Sequence, residues 1–165
     1  MVAETVVIER GSCGGGGQAE PVVEAGRVLV RRAAWDDERE LLRLTTSFAT
    51  SFSVDPSRFT QQLRAMLGDS SSALVVASID AGLVGYAAAS MHPTLYANGP
   101  VGWIEELMVD VAHREVGVGR LLVSFVEEWV RSSGGVMVSL ATRRAAGFWS
   151  SMGFEESASY FRRIL

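Results

Sequence analysis

A strand, a short turn and a glycine-bearing helix start follow one another between Leu107 and Leu122, and this order constrains the fold most. The turn reads Arg-x-x-Gly-x-Gly over residues 114–119, and an amphipathic helix pattern follows it. The first N–H groups of a helix lack an intrahelical partner, and the helix dipole favours negative charge there. Gly117 and Gly119 place no side chain between an anion and the main chain. The segment therefore predicts a diphosphate site between a strand and a helix.

Hydrophobic periodicity elsewhere predicts one mixed α/β domain over residues 27–165. One helix is expected to start at Asp37, which has capping-box spacing with Glu40, and another at Pro56, a favoured first-turn residue. The predicted helices cover about 37–48, 56–66, 117–130 and 143–152. The predicted strands cover about 27–32, 73–79, 83–90, 101–109 and 136–140, with one or two more in 154–165.

Residues 1–26 are predicted to be an extension ahead of this domain. Residues 11–17 read Gly-Ser-Cys-Gly-Gly-Gly-Gly, a composition typical of a flexible segment that packs no core. Short β-prone runs lie on either side of it, at 5–8 and 21–23. The extension either adds a strand to the sheet or exchanges with a neighbouring copy, in which case the protein is a homodimer.

The composition excludes several kinds of site. All 15 cationic side chains are arginine, so Walker-type phosphate lysines and Schiff-base lysines are excluded. Cys13 is the only cysteine, which rules out an internal disulfide and argues against a zinc cluster, so no metal is expected. The formal net charge of -4 disfavours nucleic acid and mildly favours a cationic substrate. Because neither a signal-peptide pattern nor a membrane-length apolar run is found, we expect a cytoplasmic protein with no membrane partner.

A second stretch, residues 145–154, carries small residues, two adjacent aromatics and a terminal Gly-Phe. It resembles the second signature of the GNAT superfamily, usually Ala-x-x-Phe-Tyr-x-x-x-Gly-Phe, and the turn over 114–119 resembles that superfamily's cofactor motif. The two motifs stand in the family's order and separation, and the resemblance covers about residues 27–165. It implies the α/β GNAT fold, a central mixed, mostly antiparallel sheet flanked by helices, with a splayed parallel strand pair that holds acyl-CoA.

The resemblance also implies acetyl-CoA as the cofactor and assigns the residues that hold it. Main-chain groups of Leu107, Met108 and Val109 would hold the pantetheine arm, and an N–H near Met108 would face the thioester oxygen. Main-chain N–H groups from about residue 115 to 120 would hold the diphosphate. The residues of that motif are Arg114, Glu115, Val116, Gly117, Val118, Gly119 and Arg120. Thr142 stands where many relatives have asparagine, and Trp149 is predicted to pack against the pantetheine or acetyl group.

Acetyl transfer to an amine requires a group that takes the amine's proton. Glu105 and Glu106 are adjacent in a predicted strand and are expected to point to opposite faces. Related enzymes favour Glu105 as the base, with His92 as an alternative, although either glutamate can simply be a solvated strand end. The usual general acid of the family is a tyrosine, but here its position is Trp149, whose indole N–H is a poor acid. Tyr160 is the candidate replacement.

These features predict an N-acetyltransferase that moves an acetyl group from acetyl-CoA to an amine of a small molecule or peptide by direct attack on the thioester. The alternative is a catalytically weak acyl-CoA-binding sensor or scaffold, which a tryptophan at the acid position favours. The groove is expected between the first two helices, the 91–100 loop and a C-terminal hairpin. Its candidate lining residues are Phe52, Tyr96 and Trp103. No spacing in the sequence identifies the acceptor.

Overall fold

The computed structural model describes residues 7–10, 21–25, 27–49, 52–143 and 145–164. Its centre is a seven-stranded sheet whose strands lie side by side in sequence order. The strands are β1 (Val7–Arg10), β2 (Pro21–Ala25), β3 (Val28–Arg32), β4 (Ser72–Ile79), β5 (Gly82–His92), β6 (Val101–Val109) and β7 (Met137–Leu140). Neighbouring strands are antiparallel except β6 and β7, which are parallel. The prediction of a mixed, mostly antiparallel sheet is confirmed, while the glycine-rich residues 11–17 lie outside the described ranges.

In the described part of the chain, four α-helices flank the sheet: α1 (Glu38–Phe48), α2 (Pro56–Gly68), α3 (Val118–Ser132) and α4 (Ala146–Ser151). Helices α1 and α2 cover one face, and α3 and α4 cover the other. Asp55 caps α2, because its carboxylate accepts a hydrogen bond from the N–H of Arg58 at 2.8 Å. None of the helices within these ranges combines the length and the hydropathy that a bilayer crossing requires.

Two-residue alternation along the central strands divides the apolar side chains between two layers. The layer under α3 contains Val75, Ala87, Ile104, Leu122, Phe125 and Val126. The layer under α1 and α2 contains Leu41, Leu44, Leu63, Val76, Tyr86 and Met108. Because β4 and β5 are buried on both faces, a slip of one residue would move each set of side chains into the opposite layer. The packing of the core therefore fixes the register of β4 and β5, and with it the position of β6 beside β5.

The start of α1 differs from the sequence prediction. Asp37 precedes the helix, but its carboxylate does not cap it. It accepts hydrogen bonds from Arg31 at 2.7 and 2.8 Å and from the N–H of Ala34 at 2.8 Å, while Glu40 pairs with Arg43. The Arg31 guanidinium holds the pKa of Asp37 below its usual range. The predicted capping box is wrong, because this carboxylate ties β3 to the turn before α1 instead.

The segment after α4 contains no strand within residues 154–164, so the predicted C-terminal strand or hairpin is wrong for these residues. Tyr160, Phe161 and Ile164 are exposed there. Phe154 alone of this segment packs against a core cluster. Aromatic and β-branched residues favour a strand only where packing and a neighbouring strand offset the entropy of ordering. The expected C-terminal wall of the groove is therefore not formed by this segment.

Candidate functional site

Strand β6 extends beyond the end of β7, and the open edge that this leaves is called the cleft below. They pair over residues 101–104 of β6 and 137–140 of β7, where β7 ends. Strand β6 continues to Val109, with β5 along its other side. Within the described residues, the main chain of 105–109 therefore has no strand partner on the β7 side. The splayed parallel pair expected from the sequence is confirmed.

Side-chain hydrogen bonds hold the turn that follows β6. The Asp110 carboxylate accepts from the N–H of Ala112 at 3.2 Å and from Arg43 at 3.3 Å. The Ala112 hydrogen bond is the main reason that the pKa of Asp110 lies below its usual range. Arg114 donates from Nε to the carbonyl oxygen of Val109 at 3.1 Å. The side chain of Arg114 thus closes the turn. A contact between Arg114 and the cofactor stays a prediction.

The main-chain N–H groups after this turn remain unbonded over six residues. The first hydrogen bond of α3 runs from the N–H of Leu121 to the carbonyl oxygen of Gly117, at 3.2 Å. Within the described part of the chain, the N–H groups of residues 115–120 donate to no main-chain carbonyl. These groups lie at the positive end of a 15-residue helix. The arrangement is suited to an anion and requires no lysine.

The two glycines of the motif have different roles. Gly117 has φ +92°, in the left-handed region, and a Cβ on it would meet nothing within 4 Å. A side chain at this position is therefore opposed by backbone strain and not by crowding. A Cβ on Gly119 would lie 3.4 Å from the ring of Phe148 and 3.7 Å from Val109. These are ordinary contact distances, so Gly119 lies close to Phe148 of α4 without crowding, and the two sequence motifs are neighbours.

Glu115 is an unexpected feature of this loop. Its φ is +68°, a conformation that costs a residue with a Cβ about 1 kcal/mol or more. The side chain is exposed, and its negative charge opposes the binding of an anion to the neighbouring amides. From the sequence, Glu115 was predicted only to supply a main-chain N–H. Nothing in a single sequence indicates that a glutamate adopts a left-handed conformation.

Trp149, at the position where the family usually has tyrosine, is part of the core. Only 7% of its surface is exposed. Its ring packs edge-to-face against Phe148, with centroids 5.0 Å apart, and against Phe154, with centroids 5.1 Å apart. The predicted contact of Trp149 with the cofactor is therefore limited to a narrow edge of the indole.

Arg120 fixes the end of α4 next to the glycine-rich turn, and Thr142 holds the chain just before α4. Arg120, in the first turn of α3, donates to Ser151 Oγ at 2.8 Å. Thr142 Oγ1 accepts a hydrogen bond from the N–H of Ala145 at 3.2 Å, just before α4 begins. Arg120 and Thr142 were predicted to contact the cofactor, and in this structure their side chains hold neighbouring elements together.

A β-bulge in β6 changes the direction of two adjacent carboxylates. The pairing of β5 with β6 shifts by one residue at Glu105, which is the extra residue of the bulge. Glu105 Oε1 accepts from Ser90 Oγ at 3.2 Å, and Glu106 Oε2 accepts from Tyr86 Oη at 2.6 Å. Tyr86 and Ser90 are four residues apart on β5 and so share a face. The prediction that the glutamates point to opposite faces is wrong, because the bulge turns both toward the side of α1 and α2.

Tyr86, the hydrogen-bond partner of Glu106, was not among the site residues predicted from the sequence. Its side chain is buried under α1, with 2% of its surface exposed. Burial first, and then the negative charge of Glu106, raises the pKa of this phenol far above its usual value, so the hydroxyl remains protonated. Phe48 packs edge-on against the ring with centroids 6.5 Å apart. A tyrosine in an apolar strand usually indicates core packing, so the sequence carried no other signal.

The remaining predicted residues lie apart from this pair. His92 is at the far end of β5, opposite Val101, and roughly 12 Å along the strand from Glu105. At that distance it does not reach the same acceptor atom as Glu105. The candidates for lining the groove and for the general acid are exposed or half-buried: Phe52, Tyr96, Trp103 and Tyr160. Tyr160 is 63% exposed, and its predicted role requires the C-terminal segment to close over the cleft.

Comparison with known proteins identifies this arrangement. A family model described as "Acetyltransferase (GNAT) family" matches residues 26–154. No curated protein matches the sequence at a significant level.

Solved structures resemble the chain over most of its length. A transcriptional regulator from Bacillus halodurans C-125 has 20% identity and a TM-score of 0.75, covering 84% of this chain and 99% of its own. Glucosamine-6-phosphate N-acetyltransferase from Arabidopsis thaliana has 17% identity and a TM-score of 0.74, covering 83% and 97%. An aminoglycoside N-acetyltransferase in complex with CoA has 19% identity and a TM-score of 0.73, covering 82% and 94%. At these identities the likeness concerns the fold.

Proposed function

Because this chain belongs to the GNAT acetyltransferase family, we propose that it uses acetyl-CoA to acetylate an amine of a small molecule or peptide. The observation that carries the proposal is the open main-chain edge of residues 105–109 beside the six unbonded N–H groups of 115–120. A strand edge and a helix N-terminus together fit an amide-bearing arm and a diphosphate.

The residues present fit this cofactor. Main-chain groups of Leu107, Met108 and Val109 would bind the pantetheine arm at the open edge, and the amides of 115–120 would bind the diphosphate. When bound, acetyl-CoA supplies an acetyl group activated as a thioester. We assign an N–H near Met108 to the thioester oxygen, where a main-chain donor stabilises developing negative charge. Glu115 is the one residue of the loop whose charge opposes this fit.

Direct transfer requires an acceptor nitrogen that has lost its proton. We assign Glu105 as the proton acceptor, because its carboxylate is exposed and is held only by Ser90 Oγ at 3.2 Å. Trp149 cannot act as the general acid, since its indole N–H is not acidic and its ring is buried. Tyr160 is the candidate acid if the C-terminal segment closes over the cleft, and otherwise water protonates the leaving thiolate, whose pKa is about 8.5.

The second candidate function is an acyl-CoA-binding module with little catalysis. The buried Trp149 and the exposed Tyr160 favour it, because neither side chain, as the described residues stand, is placed to protonate the leaving thiolate. Both functions require the same cofactor site, so CoA binding alone does not distinguish them.

The test combines calorimetry with a thiol-release assay on the full chain. Titration with CoA should give saturable 1:1 binding, and acetyl-CoA with a panel of amines should release CoA thiol in proportion to acetylated product. CoA binding without thiol release would support the binding module. Absence of CoA binding would rule out both functions.

A further inference from the structure

We infer that Glu106, fixed by Tyr86, anchors the ammonium group of the acceptor, and that the acceptor carries no anionic group beside its reacting nitrogen. This inference rests on the proposed acetyltransferase function and assigns its substrate class. It concerns a residue other than the proposed base, Glu105.

The two carboxylates differ in how rigidly they are held. Glu106 is half-buried and accepts a 2.6 Å hydrogen bond from a tyrosine hydroxyl in the core. Glu105 is exposed and is held at 3.2 Å by a serine on the rim. A hydrogen bond to an ionised group is strong, and a donor in the core loses little entropy in making it. Glu106 is therefore suited to orient a ligand, and the exposed Glu105 to accept and release a proton.

The hydrogen bond between Tyr86 and Glu106 has one direction. The Tyr86 hydroxyl donates at 2.6 Å to Glu106, whose carboxylate can only accept. Tyr86 remains protonated because burial raises the pKa of its phenol. It therefore acts as a positioning residue and takes no part in proton transfer. Within the described residues Glu106 Oε1 accepts no hydrogen bond, so this oxygen is available to an N–H of the acceptor.

The charge of the site restricts the acceptor. Among the described residues, neither Glu105 nor Glu106 forms an ion pair within 4.0 Å, so no direct cationic partner offsets the two negative charges. A protonated amine would supply that charge. A carboxylate or phosphate on the same carbon as the amine would instead face two glutamates at short range without a basic partner. The ring of Phe48, 41% exposed and packed on Tyr86, offers an apolar and π surface to the carbon that bears the nitrogen.

The first experiment compares amines with their α-carboxylated counterparts in the acetylation assay. The pairs are phenethylamine with phenylalanine, and putrescine with ornithine at its α-nitrogen. The inference predicts kcat/KM at least about tenfold higher for the amine of each accepted pair. A preference for the carboxylated member in either pair would overturn it. If CoA binds and no amine is acetylated, the acetyltransferase proposal and this inference both fail, whereas a wrong substrate class leaves acetylation itself intact.

The second experiment separates anchoring from proton transfer by measuring KM and kcat in variants. Glu106→Gln should raise the acceptor KM about tenfold or more, with a much smaller change in kcat, because the loss is of a charged hydrogen bond. Tyr86→Phe removes only the hydroxyl and should raise the acceptor KM about threefold to tenfold. Glu105→Gln should instead lower kcat about 100-fold or more and remove the acidic limb of the pH profile.

Matched controls keep the assignment falsifiable. Glu128→Gln, on the exposed side of α3 beside Arg131, should change neither parameter. The KM for acetyl-CoA should stay constant in the Glu106 and Tyr86 variants, which a merely structural defect would not achieve. If Glu106→Gln lowers kcat and leaves the acceptor KM unchanged, Glu106 is the base and the inference is wrong. If Tyr86→Phe raises both KM values together with a lower Tm, its role is structural and the inference is equally wrong.

Discussion

The two sides of the cleft are constructed differently. On the cofactor side, the open edge of β6 and the amides that precede Leu121 are main-chain groups, positioned by where strand and helix begin and end. On the proposed acceptor side, the proposed chemistry lies in the side chains of Glu105 and Glu106, whose directions follow from a single-residue bulge. A main-chain site tolerates almost any side chain that preserves the backbone path, whereas a side-chain site changes with each substitution.

The difference predicts that the cofactor side is sensitive to backbone conformation, and Gly117→Val tests this with the largest expected effect. A β-branched residue at φ +92° is strained by about 2 to 3 kcal/mol, so the loop should relax and lose the alignment of its amides. We expect calorimetry to show CoA affinity reduced about 30-fold to 100-fold.

Gly119→Ala is the matched control for that change. Its Cβ would make a 3.4 Å contact with Phe148 at an ordinary helical conformation, so CoA affinity should fall less than about threefold. Equal losses of CoA affinity in the two variants would show that crowding, and not backbone conformation, determines CoA binding. The two glycines would then not differ in their roles.

The features that could be predicted from the sequence divide in the same way, between main-chain geometry and side-chain roles. The strand, turn and helix around residues 105–120 were predictable, because glycine spacing and hydrophobic periodicity report main-chain geometry directly. The roles of Glu106 and Tyr86 were not, because the bulge arises from the pairing of β6 with β5, and a single sequence does not show register. The C-terminal strand was predicted from local propensity, and it failed because propensity does not supply a packing partner.

The acceptor side also depends on a side-chain ion pair for its scaffold, and its stability should therefore vary with pH. Asp37→Asn removes the partly buried pair with Arg31 that ties β3 to the turn before α1, and should lower the free energy of unfolding by about 2 kcal/mol at pH 7. The Arg31 hydrogen bonds lower the pKa of Asp37, so this stabilisation is present above the unfolded value of about 3.9 and is lost as pH falls through the folded value.

Denaturant unfolding at pH 7 and at about pH 3 measures this effect. The difference in the free energy of unfolding between wild type and Asp37→Asn should be largest at pH 7 and smaller at the lower pH. Asp80→Asn serves as the control, since its pair with Arg27 has side chains 78% and 68% exposed and should contribute little. A gap that stays constant over this pH range would mean that the carboxylate stabilises α1 by packing and not by charge.

The smallest expected effect concerns Glu115, whose charged side chain lies beside the main-chain amides of the proposed cofactor site. Glu115→Gly should leave stability nearly unchanged, because relief of the left-handed strain at φ +68° is offset by the added entropy of glycine in the unfolded chain. It should raise CoA affinity about threefold by removing a negative charge beside the amides, and Glu115→Gln should give most of that gain while keeping the strain. Both gains should shrink at high salt, since exposed charges are screened. Weaker CoA binding in Glu115→Gln would mean that this carboxylate assists the cofactor, and the cofactor side would then depend on side-chain chemistry as the acceptor side does.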